Sequence, residues 1–353
     1  MGTRPEIIKM APIIYQCVKK KIPYCLIHTG QHYNYEMDKI FLKELRIDTK
    51  KTLNLNIGSG QHGEMTGKML MAIEKELLKI KPKVVLIEGD TNTVIAGALA
   101  SVKLQIPIAH VEAGLRSYDR TMPEEHNRII ADHLADFLLA PTKETALILK
   151  KEGINSKKIF ITGNTIADAV MHNIKISRKK SKILQRLSIK PNKYFLLTLH
   201  RQENVDNKIK LQNIFTGLNL LSKKYNIPII YPIHPRTVKK MKQFKLVAPK
   251  GLKIIKPVGF FDFLQLENNA HLVLTDSGGV QEETCILRVP CVTLRENTER
   301  PETITVGSNI LAGSNPKKIL KSVEKMLLKK RKWRNPFGDG TSGKKIFKIL
   351  NNI

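Results

Sequence analysis

Short runs rich in Val, Ile, Leu, Phe and Tyr recur along this chain, and helical patterns fill the intervals between them. This alternation constrains the fold more than any other feature. Strands separated by helix-length segments cannot pair as hairpins and must cross over into parallel sheets, which places the chain in the α/β class. In the first half the expected strands are Ile22–Thr29, Lys83–Glu88, Ile106–Val111, Phe137–Ala140 and Lys158–Thr162. In the second half they are Tyr194–His200, Ile227–Ile233, Leu252–Lys256, His271–Thr275 and Val289–Leu294. Helices are expected over Gln61–Lys79, Asn92–Val102, Glu124–Leu134, Leu211–Lys223 and Pro316–Leu328. At 353 residues the chain is long enough for two domains. The polar, basic and pattern-poor stretch Ile174–Lys193 marks the expected hinge, and two successive α/β units would leave a crevice between them.

The start is unusual for such a fold. Gly2-Thr3-Arg4-Pro5-Glu6 reads as the loop after a first strand, with Pro5 suited to a helix start, yet only Met1 precedes it. A chain lacking its first strand is the expectation. Nothing at this end has the apolar stretch and small-residue cleavage site of a signal peptide, and no apolar run reaches the ~18 residues of a membrane span. None of Cys17, Cys25, Cys285 and Cys291 forms a C-x-x-C pair, and all four sit in apolar patterns, which suits packed, reduced thiols in the cytoplasm. The net charge of +29 invites a nucleic-acid reading, but the basic residues are spread along the chain and aromatics are only 6%, so a solvated lysine-rich surface is the better account. Stripes such as Met37, Phe41 and Leu45, or Met65, Met69 and Ala72, have helical spacing and read as core.

Chemistry-bearing residues collect where strands are expected to end. Asp90 closes Val84-Val85-Leu86-Ile87-Glu88-Gly89-Asp90, Glu112 follows Ala109-His110-Val111, and Glu124 opens a helix. Ligands of open α/β sheets bind at the carboxyl ends of strands, and several carboxylates there suit proton transfer. His200 ends the strand before Arg201, and His234 has the same placement after Ile233. Thr275-Asp276-Ser277-Gly278-Gly279 leads from a strand into a helix carrying Glu283; backbone N–H groups at such a start can receive a phosphate, and Glu283 can accept from a ribose diol. Arg4, Lys9 and Arg300 stand beside helix starts that suit a diphosphate. Gly58-Ser59-Gly60-Gln61-His62-Gly63 matches G-x-G-x-x-G, but no acidic residue fits the end of the next strand, so it reads as a glycine-rich loop without a dinucleotide.

Taken in order, GTRPEIIKMAP, TGQHY, EGDTNTV, HVEAGLRS, PEEHNR, FITGN, LHRQEN, YPIHP, LTDSGGVQEE, TERPE and NPFGDG run from residue 2 to residue 340. The chain so resembles the non-hydrolysing UDP-N-acetylglucosamine 2-epimerases. The resemblance implies a GT-B architecture: Rossmann-like domains over 1–165 and 166–339, a cleft between them, and a last helix, 340–353, returning to the first. It implies removal of the C2 proton, elimination of UDP to 2-acetamidoglucal and re-addition, with Asp90, Glu112, Glu124 and His200 as catalytic residues. It implies a UDP cradle of Arg4, Lys9, His200, Ser277, Gly278, Gly279, Glu283 and Arg300, with Phe263 meeting uracil. It also implies a second, activating nucleotide site at Gln31, Arg201 and His234, a homodimer, and neither metal nor redox cofactor. Where bacterial members often carry His this chain has Glu88, and where some carry Gln it has Val258. Three alternatives remain at this level: a retaining glycosyltransferase on the same fold, a hydrolysing epimerase, for whose usual kinase domain 353 residues leave no room, and a basic nucleic-acid-binding protein.

Overall fold

The computed structural model describes residues 1–30, 35–58 and 60–351, with the backbone alone at 35–39. Gln31, Ser59 and the side chain of Met37 lie outside the described residues. The chain divides into two compact units, Met1–Met171 together with Phe337–Ile353, and His172–Pro336. The dividing point falls inside the helix Thr165–Lys180 rather than in an irregular hinge. That stretch hid its helix because the side chains it buries include polar ones: Asn173 and Ser177 are buried, and Ser177 Oγ accepts from Gln265 Nε2 at 2.7 Å.

In the first unit the strands are β1 (Leu26–His28), β2 (Thr52–Asn54), β3 (Val85–Glu88), β4 (Ile108–Val111), β5 (Phe137–Ala140) and β6 (Ile159–Ile161). They form two separate parallel sheets among the described residues, β1-β2 and β3-β4-β5-β6. The helix Asn92–Lys103 lies against β3, and Ile87, Val94, Ala98 and Ile108 share one core with Leu138. Small residues permit that approach: a Cβ on Gly97 would stand 3.2 Å from Ile87 Cγ2. The last helix, Ser342–Leu350, packs on the first, Arg4–Lys20. Gly343 passes so close that a Cβ there would lie 2.8 Å from Pro12 O, and Asp168 accepts from the N–H groups of Ser342 and Gly343 at 3.0 and 2.9 Å. A carboxylate at a helix start satisfies two N–H groups that have no partner within the helix.

In the second unit the strands are β7 (Phe195–Thr198), β8 (Ile229–Pro232), β9 (Leu252–Ile255), β10 (Leu272–Thr275), β11 (Cys291–Thr293) and β12 (Asn309–Leu311). All pair in parallel in the order β9-β8-β7-β10-β11-β12. Numbered from its own first strand this is 3-2-1-4-5-6, the doubly wound order, whose direction reverses between β7 and β10. Alternate residues of the central strands point to opposite faces: Phe195, Leu197 and Leu272 enter one core, Leu196 and Val273 the other. β2 and β12, absent from the expected strands, are three residues long and carry Asn, too short and polar for periodicity to mark.

The core stripes are buried at Phe41, Leu45, Met65 and Met69. The thiols are less uniform than the apolar pattern suggested. Cys285 and Cys291 are buried, but Cys17 is half-buried and Cys25, just before β1, is exposed. Among the described residues no helix is long and apolar enough to cross a membrane.

Candidate active site

In the first unit β3 and β4 are neighbours in register, Glu88 opposite Val111, so Asp90 and Glu112 leave the sheet at the same edge. The helix Pro123–Leu134 brings Glu124 to it: Asn127 Nδ2 donates to Asp90 O at 2.9 Å, and Arg128 Nη1 donates to Asp90 Oδ2 at 2.6 Å. Glu124, in the first turn, is half-buried. Its neighbour Glu125 ties the preceding loop down, accepting from Ser117 N and Tyr118 N at 2.9 Å each. Although burial opposes its charge, the bonds from Ser117 and the Arg128 guanidinium hold Glu125 below the usual carboxylate range.

Glu112 is a non-glycine residue at φ 70, a left-handed conformation that costs roughly 1–2 kcal/mol. The turn directs its carboxylate to Lys9, whose ammonium donates to Glu112 and lies 3.7 Å from Glu88. All three are buried. Burial raises the Glu88 carboxyl well above its usual range; Lys9 opposes the shift, while Glu112 and Glu6 add to it. Burial thus disfavours the charge of Glu88, while the Lys9 ammonium holds the neighbouring Glu112. Two residues on, Gly114 has φ 86, and a Cβ there would stand 2.5 Å from Thr145 O, so only glycine allows the turn to close on the helix Lys143–Lys151.

Behind this edge is a fully buried support. His110 Nδ1 lies 2.7 Å from Asp132, its Nε2 is 2.9 Å from Gly89 O, and Arg116 meets the same Asp132 at 2.7 Å. Burial disfavours the His110 charge, yet Asp132 and the Gly89 carbonyl outweigh it and raise the imidazole above its ordinary value. The network fixes the turn after β3 to the strand beside it. Arg4 is half-buried at the start of its helix, with its guanidinium 5.4 Å from the Phe41 ring centre.

In the second unit the residues gather at the reversal of strand order. His200 follows β7 and Ser277 follows β10, the adjacent pair Thr198 and Thr275 ending those strands. Asp276, fully buried, spans them: its carboxylate accepts from His200 N at 3.0 Å, Arg201 N at 2.8 Å and Asn204 Nδ2 at 3.3 Å, and lies 3.4 Å from His200 Nδ1. Desolvation lowers the His200 pKa, Asp276 opposing it and Arg201 and Arg236 reinforcing it. The imidazole is half-buried. Ser277 is the N-cap of the helix Gly278–Leu287 and makes no side-chain cap bond. A Cβ at Gly278 would lie 3.1 Å from Glu299 Oε1, whereas at Gly279 the nearest atom within reach is Ser277 Oγ at 3.9 Å, so the helix start is open on that side.

Glu283 is buried one turn further in, against the fully buried Glu267 of the helix Phe260–Asn268. Burial, then the Glu283 charge and their shared hydrogen bond, raise Glu267 well above the usual range. Phe263 is half-buried on the same helix. Arg300 is buried and paired with Glu282, and Arg201 Nη2 meets Glu299 at 3.2 Å. The His234 ring caps a helix, accepting from Arg236 N at 3.2 Å, and stands 5.6 Å from the His200 ring. Of the expected second-site residues, Arg201 and His234 thus adjoin His200, while Gln31 is not described.

The geometry gathers Asp90, Glu112 and Glu124 at one sheet edge and His200, Ser277, Gly278 and Gly279 at another. It pairs Lys9 with Glu112 and Arg300 with Glu282, with the Arg300 guanidinium close to the start of the helix Gly278–Leu287, where a Cβ on Gly278 would lie 3.7 Å from its Cζ. It adds Arg128, Asp276 and Glu267, to which sequence reading gave no role, and gives partners to Glu88, noted there only as standing where bacterial members often carry His. Asp276 was visible as the acid between a strand and a Ser-Gly-Gly turn; the others acquire meaning only through partners distant in sequence.

The family model described as UDP-N-acetylglucosamine 2-epimerase matches residues 16–351. A UDP-N-acetylglucosamine 2-epimerase of Methanococcus maripaludis is 59% identical over 356 residues, covering 99% of this chain and 96% of that protein. A crystal structure of the Methanocaldococcus jannaschii UDP-GlcNAc 2-epimerase in complex with UDP-GlcNAc and UDP is similar at a TM-score of 0.95 and 57% identity, covering 100% of this chain and 98% of that one. A UDP-2,3-diacetamido-2,3-dideoxy-D-glucuronate 2-epimerase of Pseudomonas aeruginosa is 39% identical over 331 residues, covering 93% and 91%.

Proposed function

This chain belongs to the UDP-N-acetylglucosamine 2-epimerase family, and from that premise we propose how its residues interconvert UDP-N-acetylglucosamine and UDP-N-acetylmannosamine. A base takes the C2 proton, the C1–O bond breaks with its electron pair leaving on UDP, and C1=C2 forms in 2-acetamidoglucal. UDP then adds back at C1 while C2 receives a proton on the opposite face. Such a reaction needs one group ready to accept a proton and another ready to give one. The observation that carries the assignment is the edge at the ends of β3 and β4, where Arg128 holds Asp90, the buried Lys9 ammonium donates to Glu112, and the first turn of the helix Pro123–Leu134 brings Glu124 alongside.

The proton-handling work is assigned to the first unit, with Asp90, Glu112 and Glu124 as the acids and bases. Lys9 serves there by setting the charge of Glu112. Nucleotide holding is assigned chiefly to the second unit. The N–H groups of Gly278 and Gly279, the Ser277 hydroxyl and the imidazole of His200 receive the diphosphate, Glu283 the ribose, and Phe263 the uracil face. Fixed donors aimed at a leaving diphosphate stabilise the charge that grows there more than water does. Arg4 contributes a cation from the first unit, and Arg300 holds Glu282 beside the helix start. The second nucleotide site is kept to Arg201, His234 and Gln31.

A homodimer belongs to the same reading, supported by Met71 and Leu78, exposed one heptad apart on the helix His62–Ile80. A cytoplasmic setting is supported by four free thiols.

Membership of the family sets aside the glycosyltransferase and nucleic-acid alternatives. The test is proton NMR of UDP-N-acetylglucosamine with the protein in D2O. Deuterium should enter at C2 as UDP-N-acetylmannosamine appears. Release of free UDP without exchange at C2 would overturn the proposal.

A further inference from the structure

The helix Phe260–Asn268 packs on the helix Gly278–Leu287, and both enter one apolar cluster, through Phe263 and Leu266 on the first and Val280 on the second. Glu267 stands one turn beyond Phe263 on the same helix face, and Glu283 stands one turn beyond Val280. Both glutamates are buried, Glu267 completely. A buried carboxylate needs donors for its oxygens. Glu267 has none: no N–H or O–H group of the described residues reaches its Oε1 or Oε2. What it meets is a second carboxyl, Glu283.

The cations of this unit that could have met the pair are held by other acids. Arg300 pairs with Glu282, Arg201 and Arg295 pair with Glu299, and Arg186, on the helix Ile183–Arg186, reaches Asp262. The other titratable groups facing Glu267 are Tyr194, just before β7, and Cys291 in β11. The Tyr194 hydroxyl donates to Leu266 O at 2.6 Å, and burial pushes the Cys291 thiol up to about 12, so neither brings positive charge. Nor does a metal ion fit, since among the described residues no three His, Cys, Asp or Glu side chains are grouped to hold one. Two carboxyl groups in hydrogen-bond contact need a proton between them, because an ionised carboxylate only accepts. Burial and the Glu283 charge, which raise Glu267 well above the usual range, put that proton on Glu267.

Taking Glu283 as the ribose acceptor of the proposed function, we propose that Glu267 is its positioning residue: the Glu267 carboxyl O–H donates to one Glu283 oxygen, fixes its rotamer, and leaves the charge and the second oxygen to the ribose diol of the nucleotide. A cation in that place would neutralise Glu283 and compete with the ribose for the same lone pairs. A carboxyl donor occupies one lone pair and preserves the negative charge, and a hydrogen bond to an ionised acceptor is about twice as strong as a neutral one. The helix face that offers Phe263 to the base thereby sets the acceptor for the sugar attached to that base.

Calorimetric titration of the full chain with UDP and with 2′,3′-dideoxyuridine diphosphate reads the grip on the ribose as a ratio of affinities. The parent should prefer UDP about tenfold or more, the scale of a hydrogen bond to a charged group. Glu267→Gln, which still donates, should keep that preference. Glu267→Leu should lose most of it, while binding the dideoxy nucleotide as the parent does. If Glu267→Leu keeps the parent's preference, or weakens both nucleotides equally as a merely structural residue would, the proposal is overturned. Carboxyl carbon NMR shifts of glutamate-labelled protein read the shared proton without any nucleotide, Glu267 being the resonance that Glu267→Gln removes. It should hold its protonated position at pH 7, where exposed glutamates are ionised, and titration together with them would overturn the proposal. Equal affinity of the parent for the two nucleotides would instead overturn the ribose assignment of Glu283, with the carbon shift still deciding where the proton lies.

Discussion

At the scale of single residues the decisive feature is which charges are held by which partners. Asp90 is locked by Arg128, and Glu112 by Lys9, so neither carboxylate drifts among rotamers as a surface acid does. Replacing Asp90 by Asn, Glu112 by Gln or Glu124 by Gln should each lower turnover about 100-fold or more, while UDP affinity, measured calorimetrically, stays within a few-fold. Near-normal turnover in all three would remove the proton-transfer assignment. Lys9 and Arg300 teach a complementary lesson. In sequence both are cations near a helix start; in the fold each is buried against a carboxylate, Lys9 on one 103 positions away. Composition cannot distinguish an ammonium waiting for phosphate from one committed to a glutamate.

At the scale of elements, the helix Phe260–Asn268 and the helix Gly278–Leu287 press Glu267 against Glu283. With its pKa raised by burial, Glu267 binds a proton in the folded state that the unfolded chain has released. Between the ordinary glutamate range and the raised value the native state holds more protons, so stability falls as pH rises through that window. Glu267→Gln keeps a hydrogen-bond donor for Glu283 and removes the titration. Its Tm should exceed that of the parent at pH 8, and the two should converge toward pH 5. A constant difference across that range would mean that Glu267 does not titrate in this way. Boundaries show the same division between pattern and packing: Phe137–Ala140 matches its expected span residue for residue, whereas β1 is Leu26–His28 within an expected Ile22–Thr29. Apolar character extends beyond the residues that find a ladder partner.

At the scale of the whole molecule the net charge of +29 is the largest unassigned quantity. Lys329 and Lys330 follow the helix Pro316–Leu327 and are exposed, as the spread of basic residues suggested. Exchanging both for Gln should leave turnover unchanged. Duplex DNA should bind at physiological salt only in the non-specific range, roughly 10⁻⁴–10⁻⁶ M, in a filter or anisotropy assay. Tighter binding that is lost with those two lysines would reopen a nucleic-acid role.

The alternation of strand and helix, the two α/β units and the places where Asp90, Glu112, His200 and Ser277 leave strands were all legible in the sequence. Each depends on local periodicity or on a residue's position next to a run, and neighbours in sequence carry that information. The order of strands and the reversal between β7 and β10 were decided by tertiary structure, because strand pairing joins segments tens of residues apart. So were the raised carboxyl of Glu88 and the carboxyl pair of Glu267 and Glu283. A carboxyl keeps its proton when water is excluded and another negative charge is near, and both conditions exist only once the chain has closed around them.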